Sequence, residues 1–560
     1  MKLVFAALLA AVPVTAAARA PAVPQAMVSA ADPRAAEAGL AMLRAGGTAM
    51  DAAAAVVLAL TVVEPQSSGI GGGGLLLYQA AGGQTPATFD GRETAPKAAT
   101  EALFLDPDGK PLPRGQAIPG GRSVGVPGNV AMLRLAHAKY GKLPWATLFG
   151  PAIALARDGY DITPRLASAI AGSARTLARQ PAAAALFLRA DGAPKATGDR
   201  IVNPALAATF ETIAAGGPDA FYAGANAAAL VAAVGNAPTN RSAMTAADVA
   251  AYRAHERPPV CGAYRRYRIC SMGPPSAGGT AVVAILGQLQ DFDLAALGKD
   301  SAVAWHLFAE SERLAFADRA AYGGDADFVS VPVAGLTDAA YLRDRARLIS
   351  ATAVIAHAEP GQPKGAKPRI APRSGEIPST SDLAVADANG NIASLTSTVE
   401  GAFGSSLVAG GYILNNELTD FDFVPEVAGA KVANRVEGGK RPRSSMSPTI
   451  VYAPNGKVAL VVGAAGGPTI PAQVAKAIVA VVDWHLPIQD AIALPLIFTN
   501  DDTLVLEKGP FFAALEPALK RMGHTTVQYP LGLKANGLER IPGGWRGGAD
   551  PRSEGVALGL

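Results

Sequence analysis

The chain has little of what several common functions require. Its 560 residues include two cysteines and six histidines. The histidines, His137, His255, His306, His357, His485 and His524, stand isolated, with no paired metal-ligand spacing. No P-loop occurs. Basic and acidic residues number 49 and 46, so a net charge of +3 leaves no electrostatic footprint for a phosphate backbone, and nucleic acid is not an expected partner. Charged residues are 17% and hydrophobic ones 50%, which excludes disorder as the dominant state. Beyond the N-terminus, the longest strongly apolar run, residues 52–63, is too short for a hydrocarbon core of roughly 30 Å and reads as a buried helix. The 61 glycines and 43 prolines show no Gly-X-Y period, so collagen is excluded and many turns are expected.

Residues 1–20 follow the order of a secretory signal: Lys2, an apolar run, then small residues ending Ala18-Arg19-Ala20. This predicts cleavage near Ala20 and a periplasmic or secreted mature protein without a membrane span. In such a compartment Cys261 and Cys270, flanking a turn centred on residues 264–267, can form a cross-strand disulfide.

The first mature helix is predicted from Asp32 as N-cap and Pro33 at the first helical position to the stop at Gly46-Gly47. A second helix is expected from Asp51. Residues 125–230 and 301–350 carry further helical patterns. Residues 359–378 are polar, rich in proline and without apolar period, as in an extended linker. Directly after it, residues 383–387 and 392–398 alternate around Asn389-Gly390, predicting a hairpin, and a second hairpin is predicted around Asn455-Gly456. Helices should dominate the first two thirds and strands the last, as a sheet core under helical layers.

Two motifs fail on context. Residues 69–74 match G-x-G-x-x-G, but a helix precedes and a strand follows, the reverse of a dinucleotide site. Residues 121–125 match G-x-S-x-G, yet Pro127 and Gly128 stand where a nucleophile elbow needs a helix. What survives is a pair of threonines. Thr380 lies between the linker and the first hairpin, and Thr398 at that hairpin's far end, so the two can lie side by side. A threonine hydroxyl needs an adjacent base, and cleavage just before Thr380 would supply its own α-amine.

The runs Ser379-Thr380-Ser381-Asp382, Thr396-Ser397-Thr398-Val399-Glu400, Asn415-Asn416-Glu417, Asp420-Phe421 and Arg441-Pro442-Arg443-Ser444-Ser445-Met446-Ser447-Pro448 resemble the γ-glutamyltransferase family. Upstream, Glu64-Pro65-Gln66, Asp90-Gly91-Arg92-Glu93 and Pro274-Pro275-Ser276-Ala277-Gly278-Gly279 fit in order, and the resemblance covers nearly the whole mature chain. It implies a four-layer αββα sandwich of the N-terminal-nucleophile hydrolase type, cut between Ser379 and Thr380 into a large subunit (21–379) and a small one (380–560) that stay together as a heterodimer. It further implies that Thr380 attacks γ-glutamyl amides such as glutathione, passing the acyl group to water or to an amino acid or peptide. Thr398 would hold Thr380, and Gly466 and Gly467 would form the oxyanion hole. Arg92, with Ser444 and Ser445, would hold the α-carboxylate, and Glu400, Glu417 and Asp420 would face the α-ammonium. No metal or organic cofactor is implied. Asp382 stands where the family commonly has histidine, which bears on the rate of self-cleavage, and residues 421–440 are shorter than in relatives with a lid. Two other readings stay open: a glutaryl-cephalosporin acylase of the same fold, and an uncleaved γ-glutamyl-binding protein.

Overall fold

The computed structural model describes residues 23–367 and 379–560. The signal-like segment 1–20 and the last eleven positions of the proline-rich stretch lie outside the described residues. The helix Pro33–Arg44 starts as its sequence dictates, with the Asp32 carboxylate accepting from the Arg34 N–H at 2.8 Å. The next helix, Ala49–Val63, begins two residues before the predicted Asp51. Thr48 is its N-cap and Asp51 closes a capping box back onto the Thr48 N–H. All fifteen of its residues are buried, which explains its apolar character on every side.

Two antiparallel sheets lie face to face. The first runs Val556–Gly559, Met27–Ala30, Ser381–Ala386, Ile392–Thr398, Gly73–Gln79, Ala87–Asp90 and His255–Arg257. The second runs Gly544–Ala549, Lys534–Ile541, Val458–Ala465, Thr449–Tyr452, Tyr267–Ser271 and Val260–Tyr264. Strand alternation sends successive side chains into two different cores. Leu383, Val385 and Leu395 pack with the helices Pro33–Arg44 and Ala49–Val63. Ala384, Ala386 and Ile392 face the second sheet. The helices Gly278–Gln288 and Ile470–Val482 close the other side of that sheet, with Ala302–Tyr322 against the former. The four-layer αββα order expected from the resemblance is therefore present.

Both predicted hairpins form, and Cys261 and Cys270 are disulfide-bonded across the neighbouring strands Val260–Tyr264 and Tyr267–Ser271. The division into helical and strand regions needs correction. The first sheet draws Met27–Ala30 and Gly73–Gln79 from the N-terminal part, while the C-terminal part contributes the helices Ile470–Val482 and Pro510–Arg521. Short strands such as Met27–Ala30 are completed only by partners more than 300 residues away, which no local period reveals. Among the described residues no helix is long and apolar enough to cross a membrane.

The glycines of 71–74 serve close packing. A Cβ on Gly72 would sit 1.9 Å from the Thr398 carbonyl oxygen, and one on Gly71 1.9 Å from that of Ile413. Because backbone is the obstacle, Gly72→Ala must displace the strand end carrying Thr398. A loss of about 1–3 kcal/mol or more is expected, read as a lower denaturant midpoint; an unchanged midpoint would contradict the tight approach.

Candidate active site

Thr380 and Thr398 meet at the open end of the first hairpin. Cross-strand register pairs Thr396 with Asp382 and Ser397 with Ser381, which sets Thr398 opposite Thr380. Their hydroxyl oxygens are 3.3 Å apart. Both residues are buried. The Thr380 hydroxyl also donates to the carbonyl oxygen of Ser379, the bond expected to be cut, and that oxygen lies 3.2 Å from Thr398 Oγ1. Thr398 is itself held by the Glu400 N–H, 2.8 Å from its Oγ1. Glu400 has φ 75°, a left-handed conformation unfavourable for a side chain with a Cβ, and Phe403 and Ser406 share it. This tight turn brings the Glu400 amide back onto Thr398 and its carboxylate into the same cavity.

Arg92 follows the strand Ala87–Asp90, and its backbone is pinned on both sides. The Asp90 carboxylate accepts its N–H at 2.8 Å, and the Tyr252 hydroxyl donates to its carbonyl at 2.8 Å. The guanidinium donates to the carbonyls of Pro442, at 3.1 Å, and Arg443, at 2.9 Å. Two further N–H groups go to Glu417 and Asp420. Two of the three acids predicted for a ligand's ammonium, Glu417 and Asp420, thus hold Arg92 in this state. Ser444 and Ser445 stand in the wall beside it, and Ser445 Oγ takes a hydrogen bond from Arg319.

Gly466 and Gly467 end the strand Val458–Ala465 with φ of 128° and 56°, values that only glycine adopts freely. Gly467 borders the cavity. Around one cavity of about 20 Å³ the fold collects Ser379, Thr380, Thr398, Glu400, Glu417, Asp420, Arg92, Ser444, Ser445 and Gly467. Of the predicted site residues, Gly466 and the distant cysteines do not line it. Ile470, which no motif contained, and Met446, part of a quoted motif without a role, also line it. Asn416 was part of a quoted motif without a role; its amide donates to Glu400 and orients that carboxylate.

The site is rich in buried acid. Burial pushes Glu93 and Glu400 well above the usual carboxylate range, with neighbouring carboxylates adding to the effect. Arg92 is raised despite its burial because Glu417, Asp420 and Glu93 surround it. Asp382 is also pushed well up by burial, accepts from Thr396 Oγ1 at 2.7 Å and faces the bare Cα of Gly463. It lies one row behind the threonine pair.

Elsewhere, Ser123 of the G-x-S-x-G match is buried in a short 3-10 turn, donating to the Ile118 carbonyl at 2.6 Å. The expectation that the histidines stand apart needs correction in space: His306 and His524 are 2.6 Å apart and Glu310 is beside them. Glu310 is engaged by Arg313, at 3.0 Å, and by the Ile355 N–H, and His306 faces the Ser350 carbonyl at 2.7 Å, so these groups are spent on one another, on Arg313 and on the backbone.

Glu417 is pushed up to about 7, chiefly by burial, with Arg92 opposing and Asp420 adding. A raised folded value means that its contribution to stability is fully present below about 4.5 and is lost as pH rises through about 7. Glu417→Gln removes that titration. Between pH 4.5 and 7 the wild type should therefore lose stability relative to the variant, by at most about 3 kcal/mol. Parallel melting curves across that range would contradict the assignment.

The chain matches the family described as Gamma-glutamyltranspeptidase over residues 35–560. It is 36% identical over 541 residues to the glutathione hydrolase proenzyme of Escherichia coli (strain K12), covering 94% of this chain and 90% of that protein. It is also 36% identical over 511 residues to the acylase ACY 1 proenzyme of Pseudomonas sp. (strain SE83), covering 90% and 88%. Among solved structures it is similar to cephalosporin acylase from Bacillus halodurans, with a TM-score of 0.84, 27% identity and 98% of each chain covered. Helicobacter pylori gamma-glutamyltranspeptidase matches with a TM-score of 0.58 and 35% identity over 64% of this chain and 99% of that one. With the αββα layers and the threonine pair, these matches establish that the chain belongs to the γ-glutamyltranspeptidase family.

Proposed function

We propose that the protein is a self-cleaving γ-glutamyl hydrolase and transferase that uses Thr380 as its nucleophile. One observation carries this reading: the Thr380 hydroxyl lies against the Ser379 carbonyl, beside Thr398, in the same cavity as Arg92 and three carboxylates. The oxygen attacks the Ser379 carbonyl carbon, the C–N bond to Thr380 breaks, and the acyl group moves from nitrogen to oxygen. Water then hydrolyses the ester, freeing the Ser379 carboxylate and the Thr380 α-amine. The products are the 21–379 and 380–560 subunits. A cavity of about 20 Å³ holds about one water. Release of Ser379 from the cavity wall opens room for a donor.

In the cleaved enzyme the α-amine takes the Thr380 hydroxyl proton as the oxygen attacks the γ-carbonyl, and returns it to the leaving amine. The γ-glutamyl ester passes to water or to an acceptor amine. Gly466 and Gly467 are assigned to the developing oxyanion, because a chain without side chains lets the carbonyl approach its N–H groups. Arg92 takes the α-carboxylate as Glu417 and Asp420 turn to the α-ammonium. The excess of acid around Arg92 favours a zwitterionic γ-glutamyl donor over a glutaryl group, which brings a carboxylate and no cation. The signal-like N-terminus and the Cys261–Cys270 disulfide support export to the periplasm or beyond.

Thr380→Ala is expected to remain one band on denaturing electrophoresis and to lose turnover of γ-glutamyl-p-nitroanilide; normal processing would sink the nucleophile assignment. Arg92→Lys should raise KM about 10- to 100-fold with a smaller change in kcat, because a point charge cannot replace the two-pronged contact. A glutaryl amide turned over as readily as the γ-glutamyl one would move the acylase reading ahead.

A further inference from the structure

Cleavage turns Thr380 into a chain end, and chain ends fray unless tied down. What ties this one is a buried network on the other face of its strand. Ser381 Oγ donates to Glu64 Oε2 at 2.5 Å, and Ser68 Oγ and Lys534 Nζ lie 3.0 Å and 3.2 Å from it. Lys534 also pairs with Glu64, and both are buried. Glu64 caps the C-terminal end of the helix Ala49–Val63. Lys534 comes from the second sheet, paired with Ala465, the residue before Gly466. Its backbone N–H donates to Gln473 Oε1 at 3.3 Å, and Gln473 Nε2 donates to the Ala465 carbonyl at 2.7 Å and to Thr469 Oγ1 at 2.9 Å. Thr469 Oγ1 in turn donates to the Gly466 carbonyl at 2.9 Å. Lys534 is thus joined through its side chain to the residue after the nucleophile and through its backbone to the Gly466–Gly467 turn.

We propose that Lys534, paired with Glu64, is a positioning residue that sets the distance between Thr380 and the Gly466–Gly467 turn across the two sheets. This rests on the reading of Thr380 as nucleophile. A buried ion pair is a poor choice for stability alone, since removing each ion from water costs several kcal/mol and apolar residues of similar volume often do as well. Directional bonds to one hydroxyl supply what apolar packing cannot, a defined position for a free chain end. The pair also bridges the two fragments, Glu64 lying before the cut and Lys534 after it, so it survives cleavage.

The test compares a Glu64→Gln/Lys534→Met double variant, which removes both charges and leaves neither unpaired, with Ser381→Ala, which leaves the ion pair intact. Processing is followed on gels, and kcat and KM with γ-glutamyl-p-nitroanilide. Displacement of reacting atoms by an ångström can cost up to about 100-fold. Both variants should therefore lose kcat by about 10-fold or more, with slower processing and KM within about threefold of wild type. A double variant with kcat within twofold of wild type overturns the proposal. If the double variant does not fold, unchanged kcat in Ser381→Ala overturns it. Thr380→Ala run in parallel separates the two claims: turnover in that variant refutes the nucleophile, whereas an inert Thr380→Ala beside fully active Lys534 and Ser381 variants refutes only the positioning role.

Discussion

The pairing of Ser381–Ala386 with Ile392–Thr398 is the constraint on which the rest depends. It puts a chain segment that begins at Thr380 in the middle of a seven-stranded sheet and brings Thr398 across from it. Both faces of that hairpin are covered, one by helices and one by the second sheet, so its register cannot slip by one residue without exchanging two cores. Thr380 and Asp382 share the face toward the second sheet, while Ser381 turns to the helical side. The nucleophile and its anchor are therefore separated by the simplest property of a strand, its alternation.

Charge is organised around this frame. Arg92 is almost wholly enclosed, and an isolated guanidinium there would be untenable; Glu417 and Asp420 neutralise it and two backbone carbonyls complete its shell. More carboxylates surround it than one cation can ionise, so burial leaves Glu93 and Glu400 biased to their neutral forms. The site thus keeps its charged groups closed around Arg92 while Ser379 still borders the cavity.

Much of this was legible in the sequence for local reasons. Asp32-Pro33 and Gly46-Gly47 delimit a helix by capping chemistry, and Asn389-Gly390 marks a hairpin through turn chemistry. The site residues were legible differently, as ordered motifs of a family, because no period or spacing connects Arg92 with Glu417. The helix start at Ala49 was missed because Thr48 and Asp51 form a capping box that moves the boundary back two residues. Met27–Ala30 was missed because four residues carry too little pattern of their own. The histidines looked solitary because sequence separation hides the contact of His306 with His524, 218 positions away.

The sequence by itself determined the capped first helix, the two hairpins and their turns, the threonine pair at the ends of one hairpin and the family, since each is written in neighbouring residues or in ordered motifs. Tertiary structure alone decided that Arg92 is held by Glu417 and Asp420, that Gly72 is needed because the Thr398 carbonyl passes over it, and that Lys534 reaches Ser381. Those relations join residues that are hundreds of positions apart. They follow from the stacking of two sheets, whose close approach is set by summed packing across both cores and not by any local preference of the chain.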